Sequence, residues 1–198
     1  MDRIAALDAI VASFDLNTHP FYTDWRAGTL PKEKMVDYSG EYGRFVATIA
    51  KGWETLGFEN YAEEEREHEV LWENFRAEIH STDRSNYPQT DVLVTAADRF
   101  FSVAPEAVGA LYAFEAQQPN TAKSKLDGLN EHYGISDAGK EYFTVHAEDF
   151  NEVVDLRNYV ATMSEADFNR AKVACSVVCG AMWSALDGIY YSTKTISA

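Results

Sequence analysis

Apolar residues return every three or four positions along almost the whole chain, and nowhere do they alternate over a run long enough for a half-buried strand. Ile4, Leu7, Val11 and Phe14 set the pattern in the first segment, the stripe of an amphipathic helix. "HPFYTDW" then reads as a short aromatic turn. "LPKEKMVDYSGEYGRFVATIAKGWETLG" opens with a proline suited to a first helical turn and closes at Gly57, which predicts one long helix. "ENYAEEEREHEVLWENFRAEI" predicts the next, and the polar stretch "HSTDRSNYPQT" interrupts the pattern. "DVLVTAADRFFSV" and "PEAVGALYAFEAQQ" follow as helices, and Pro119 begins a short one that ends at "HYGIS". Ser136 is placed to cap a single helix over "DAGKEYFTVHAEDFNEVVDLRNYVATM". Ser164 and Asp167 have the spacing of a capping box for a last helix reaching about Tyr190. The reading is an all-α bundle of about seven or eight helices, as one domain over 1–198.

Composition narrows the function. A chain of 198 residues with 46% hydrophobic content can bury one substantial core. Its formal charge of −15, from 17 Lys plus Arg against 32 Asp plus Glu, repels phosphate backbones, so no nucleic-acid partner is expected. No run approaches an uninterrupted membrane span, and the N-terminus lacks a basic, then apolar, leader. The expectation is a cytoplasmic protein without a membrane partner. Cys175 and Cys179 share one face of an apolar helix and read as buried, reduced thiols.

Polar groups on inward faces carry the chemistry. "ALYAFEAQQP" places Glu115 among Leu111, Tyr112 and Phe114, where an ionised carboxylate without a partner is very costly. In "EEEREH", Glu65 lies three residues and Glu64 four before His68, so either can share its face. In "HAEDFNE", Asp149 follows His146 by three residues and Glu152 follows Asp149 by three. Carboxylates neutralise hard cations and imidazoles select transition metals, so this inventory suits a pair of iron or manganese ions held between helices. Charge runs also form solvated faces, and Glu115 can equally satisfy a buried ion pair with Arg44, Arg99 or Lys125. Spacing leaves both readings open.

Five segments in order, "HPFYTDWRAGTLPKEKMVDY", "HEVLW", "ALYAFEAQQPNTAKSKLDGLNEHYG", "YFTVH" and "MWSALDGI", resemble the heme-oxygenase-like fold family that includes PqqC, TenA and the CADD-type and fatty-acid-decarboxylating di-iron oxidases. The resemblance covers about residues 15 to 190. It implies two non-heme irons, or manganese in their place, with O2 as co-substrate, a small organic substrate such as an amino acid or aliphatic acid, an external electron donor, and a homodimer as the assembly. His68, Glu115 and His146 fall on the family's ligand positions, with Glu65 preferred to Glu64 for the third-helix carboxylate. The family's Asp and His after His146 are Phe150 and Val153 here, so Asp149 and Glu152 serve only if the helix shifts register. The CADD-type branch fits best. Its enzymes are similar in making p-aminobenzoate from their own side chains, and Tyr22, Tyr38, Tyr142 and Lys125 match the residues involved. The expected activity is O2-dependent oxidation of a free small molecule, with self-processing as the alternative and a scaffold with a degraded metal site as a third reading.

Overall fold

Local signals start and stop each helix. The computed structural model describes residues 2–81, 87–148 and 151–193. Among them the elements are α1 (Arg3–Ala12), α2 (Pro20–Arg26), α3 (Lys32–Val46), α4 (Ile49–Leu56), α5 (Glu59–Glu78), α6 (Pro88–Phe100), α7 (Ala104–Glu115), α8 (Gln118–Gly128), α9 (Asp137–Glu148), α10 (Asn151–Thr162) and α11 (Glu165–Tyr190), and no strand is present among the described residues. The described helical segments divide more finely than the seven or eight helices expected, for two local reasons. The "HPFYTDW" turn is a true helix, because the His19 ring accepts from the Phe21 N–H at 3.0 Å and caps it. The helix expected to end at Gly57 breaks after Val46, where Thr48 turns its hydroxyl back onto the Phe45 carbonyl at 2.7 Å. The stretch expected as one helix after Ser136 is helical over Asp137–Glu148 and Asn151–Thr162, and Asp149 and Phe150 lie outside the described residues.

Other expected signals are present. Ser136 accepts from the Gly139 N–H at 3.2 Å at the start of α9. Ser164 accepts from the Asp167 N–H at 3.1 Å and donates to its carboxylate at 2.8 Å, tying the first turn of α11 together. Gly57 ends α4 in the left-handed conformation, with φ of 80°, that lets a glycine close a helix without steric cost.

α11 packs against α7, α6 and α1. Its length and apolar character would suit a membrane span, yet half of the qualifying window is buried inside the bundle, as in a core helix. The approach to α7 is close enough that a Cβ on Gly109 would stand 1.8 Å from the Ala171 carbonyl oxygen, so only glycine fits there. Ala107, Ala110, Ala113, Ala171 and Ala174 are fully buried and belong to the same core as Gly109's neighbours. Backbone contact of this kind fixes α7, and Glu115 is its last residue. Cys175 and Cys179 are buried and reduced, and a hydrogen bond between them together with burial pushes the Cys175 thiol well up, so Cys175 is no reactive thiolate.

Candidate metal centre

Four helices bring their polar groups to one point. On α5 the buried positions Tyr61, Ala62, Glu65, Trp72 and Phe75 follow helical spacing, so Glu65 occupies an apolar stripe while Glu64 is exposed. α7 ends on Glu115, α9 carries His146 and the first turn of α10 carries Glu152. Glu65, Glu115, Glu152 and His146 are each at most 5% exposed.

One oxygen from each of Glu65, Glu115 and Glu152 lies within 4.8 Å of the other two. Donor atoms of Glu65, His68 and His146 meet the same limit, so Glu65 belongs to both groups. Glu65 Oε1 lies 3.5 Å from His68 Nδ1, and the His68 and His146 rings are 4.2 Å apart. Neither oxygen of Glu65 or Glu115 meets a hydrogen-bond donor in good geometry. Burial first, and then the charges of Glu152 and Glu65, hold the Glu115 carboxyl well above its usual range; the nearby Trp53 indole offsets only part of that. The buried ion pair that could have explained Glu115 is not formed. Arg44 pairs with Glu41 and Asp91, Arg99 lies over the Phe100 ring, and Lys125 sits among tyrosines.

His146 shows which of its nitrogens serves the cluster. Nδ1 is 2.7 Å from the Tyr142 carbonyl, a bond only an N–H can make, which leaves the lone pair on Nε2. Nε2 is buried without a hydrogen-bond partner. Burial, followed by the neighbouring His68, draws the imidazole down to about 3, so it stays neutral and able to ligate. Three carboxylates and two imidazoles that converge in this way fit two divalent transition-metal ions. Asp149 and Phe150 lie outside the described residues, and Val153 is a half-buried apolar side chain packed on the core.

A second group of polar residues adjoins the first. Tyr142 stacks on His146 at 4.2 Å, and its hydroxyl accepts from Gln118 Nε2 at 3.1 Å. The Tyr22 and Tyr38 hydroxyls are 2.8 Å apart, and Lys125 Nζ lies 3.3 Å from the Tyr38 hydroxyl. Lys125 is 1% exposed, with its Nζ over the Tyr22 ring at 4.9 Å and the Tyr42 ring at 5.2 Å. It pairs with no carboxylate among the described residues, and burial alone lowers its ammonium to about 7. The phenols of Tyr22, Tyr38 and Tyr142 are all pushed up by burial. Tyr42 and Gln118 were not singled out in the sequence. Tyr42's position one turn after Tyr38 was the only signal for it, and nothing distinguished Gln118.

The chain is similar to known proteins along most of its length. The chain is 28% identical to the 4-aminobenzoate synthase of Nitrosomonas europaea, over 93% of this chain and 89% of that one. It is 25% identical to the 4-aminobenzoate synthase of Chlamydia pneumoniae, over 98% and 97% of the two chains. Among solved structures, a TenA homologue from Pseudomonas syringae superposes with a TM-score of 0.78 at 15% identity, covering 96% of this chain and 91% of the other. A domain of unknown function with a heme oxygenase-like fold from Shewanella denitrificans gives 0.73 at 16% identity, covering 96% and 92%. These two likenesses establish a heme-oxygenase-like fold. Residues 44–155, more than half of the chain and the stretch that carries all five clustered side chains, match the family described as iron-containing redox enzymes, and the protein belongs to that family.

Proposed function

We propose that this oxidoreductase makes 4-aminobenzoate from its own side chains, with Tyr22 supplying the ring and Lys125 the nitrogen. The product's structure sets the requirement. 4-Aminobenzoate carries a one-carbon substituent para to nitrogen, and a tyrosine ring carries Cβ para to oxygen, so the conversion needs the Cβ freed and oxidised and the oxygen exchanged for nitrogen. The single observation that carries the reading is Lys125, buried with no carboxylate partner among the described residues and poised over the face of the Tyr22 ring at 4.9 Å. Attack on a ring carbon comes over the face.

Two metal ions held by Glu65, His68, Glu115, His146 and Glu152 would supply the oxidising equivalents from O2 and an external electron donor. The chain does the rest. Burial brings Lys125 to about 7, so its nitrogen offers a lone pair near neutral pH, which an exposed lysine does not. The Tyr38 hydroxyl orients that nitrogen and bonds the Tyr22 hydroxyl, so it can carry a proton between them. The rings of Tyr42 and Phe143 close over Nζ at 5.2 and 5.6 Å and exclude water. Holding both reactants in one chain gives them an effective concentration that a free substrate must gain by binding.

Oxidation of a free molecule fits this interior less well. The cavity bordered by Tyr22, Tyr38 and Tyr42 has a volume of about 20 Å³, room for about one water molecule and not for an aromatic or aliphatic acid. The test is intact-protein and peptide mass spectrometry after iron, reductant and O2, on the wild type, Tyr22→Phe and Lys125→Arg. We expect permanent mass changes at Tyr22 and Lys125, at most one 4-aminobenzoate per chain, and neither in the variants. An unchanged wild-type mass with no 4-aminobenzoate released would overturn the reading.

A further inference from the structure

The tyrosines to be oxidised are not members of the carboxylate and imidazole cluster. Aromatic rings bridge the gap without a break. From His146 the ring centroids step 4.2 Å to Tyr142, 4.8 Å to Trp72, 4.9 Å to Tyr42, 5.0 Å to Tyr38 and 6.0 Å to Tyr22. Every member after His146 is a tyrosine or tryptophan, the side chains that release an electron most readily. Phenylalanines, which do not, flank the file at Phe75 and Phe143. Ring contact matters because electron tunnelling falls off steeply with distance.

We propose that Trp72 and Tyr42 relay an electron from the Tyr22–Tyr38 pair to the metal centre, one ring at a time. The inference rests on the self-processing reading for its purpose, and on the ring geometry for its route. Proton positions give it a direction. The Trp72 indole N–H donates to the Ser39 carbonyl at 2.8 Å, and the Tyr42 hydroxyl faces the Gln118 amide oxygen at 3.5 Å. Neither acceptor is a base, so an oxidised Trp72 or Tyr42 has nowhere to send a proton and takes an electron from the next ring instead. Tyr38 is the first ring in the file whose hydroxyl meets a base, Lys125 Nζ at 3.3 Å. There an electron can leave together with a proton, which Lys125 passes on before its nitrogen attacks the ring. In balance, the O2-derived oxidant gains one electron, the Tyr22–Tyr38 pair loses that electron and one phenolic proton, Lys125 Nζ gains the proton, and Trp72 and Tyr42 end as they began.

The experiment is rapid-freeze electron paramagnetic resonance after iron-loaded protein meets O2, with ring-deuterated tyrosine to identify the radical. Trp72→Phe and Tyr42→Phe are compared with wild type, iron content is measured in each, and the mass at Tyr22 is followed in parallel. Tyr42→Phe keeps the ring and its packing, so a folded, metallated variant is secured. We expect equal iron content, a wild-type radical at the Tyr22–Tyr38 pair, at least a ten-fold slower radical at the pair in Trp72→Phe, and a smaller delay in Tyr42→Phe, because the Trp72 ring also lies 5.9 Å from the Tyr38 ring. A pair radical forming at the wild-type rate in both variants, or no ring radical in wild type, overturns the relay. A relayed radical with no mass change at Tyr22 upholds the relay and removes the self-processing reading.

Discussion

Replacing Glu115 with glutamine should stabilise the metal-free protein. The carboxyl is 1% exposed, unsatisfied at both oxygens, and faces Glu65 and Glu152 without a compensating cation. Burial, and then Glu152 and Glu65, hold its pKa well above the ordinary 4.5, so folding favours the neutral form, and a buried polar group left without a partner costs about 1–3 kcal/mol. The amide of Glu115→Gln keeps the volume, carries no charge and offers its N–H groups to the neighbouring carboxylates. At roughly 2–4 °C per kcal/mol for a chain of this size, the melting temperature should rise by about 2–12 °C. The sign follows from linkage. A raised carboxyl value means that the folded chain binds the extra proton, so the penalty is present above pH 4.5 and fades as pH falls towards it. Circular-dichroism melts of chelator-treated wild type and variant at pH 7 and pH 5 check both the size and the trend. Excess Fe(II) should then reverse the order, because a ligand that binds only the folded wild type raises its stability by mass action. A metal-free variant that melts several degrees below wild type at pH 7 would show that the carboxylate holds the fold together, and would refute the metal reading.

Anaerobic reconstitution should load close to two irons per wild-type chain, by elemental analysis, and Glu115→Ala should lose both; wild-type binding far below one would count against the cluster. Lys125→Met should flatten the pH dependence of stability. A lysine lowered to about 7 leaves the folded chain short of a proton between there and its ordinary 10.5, so wild-type stability should rise across that window in denaturant titrations and the variant's should not. His19→Ala removes the cap on the Phe21 N–H and the contact from Nε2 to Asp187 at 3.1 Å, and should cost about 1–2 kcal/mol, with His19→Asn recovering the cap. Gly109→Ala drives a methyl into the Ala171 carbonyl and should destabilise by about 3 kcal/mol or more, seen as a large fall in melting temperature.

Much of the cluster was legible because it violates helical patterning. Glu115 interrupts the most apolar helix in the chain, and a carboxylate there demands an explanation that its own sequence supplies only with His68 and His146. Glu65 separates from Glu64 by phase, since it alone falls in step with Ala62 and Trp72 on the buried face. The break after Val46 was not legible. The Thr48 hydroxyl turns onto the Phe45 carbonyl where α3 ends, without glycine or proline. The side-chain network was only partly visible for a different reason. Tyrosine packs in any helical core, so Tyr42 gains its meaning from the Trp72 and Tyr38 rings that tertiary packing brings to it.

The water-sized cavity beside the tyrosines also governs traffic. Dioxygen is small enough to reach such an interior through ordinary breathing of the side chains, whereas a benzoate is several times larger than the space and cannot leave until helices part. α2 is the shortest α-helix bordering that space, seven residues held by the His19 cap and its link to Asp187. If the chain makes 4-aminobenzoate as proposed, the free energy of local opening of α2 sets the release rate, and the product's residence time reports how firmly one histidine fastens one short helix.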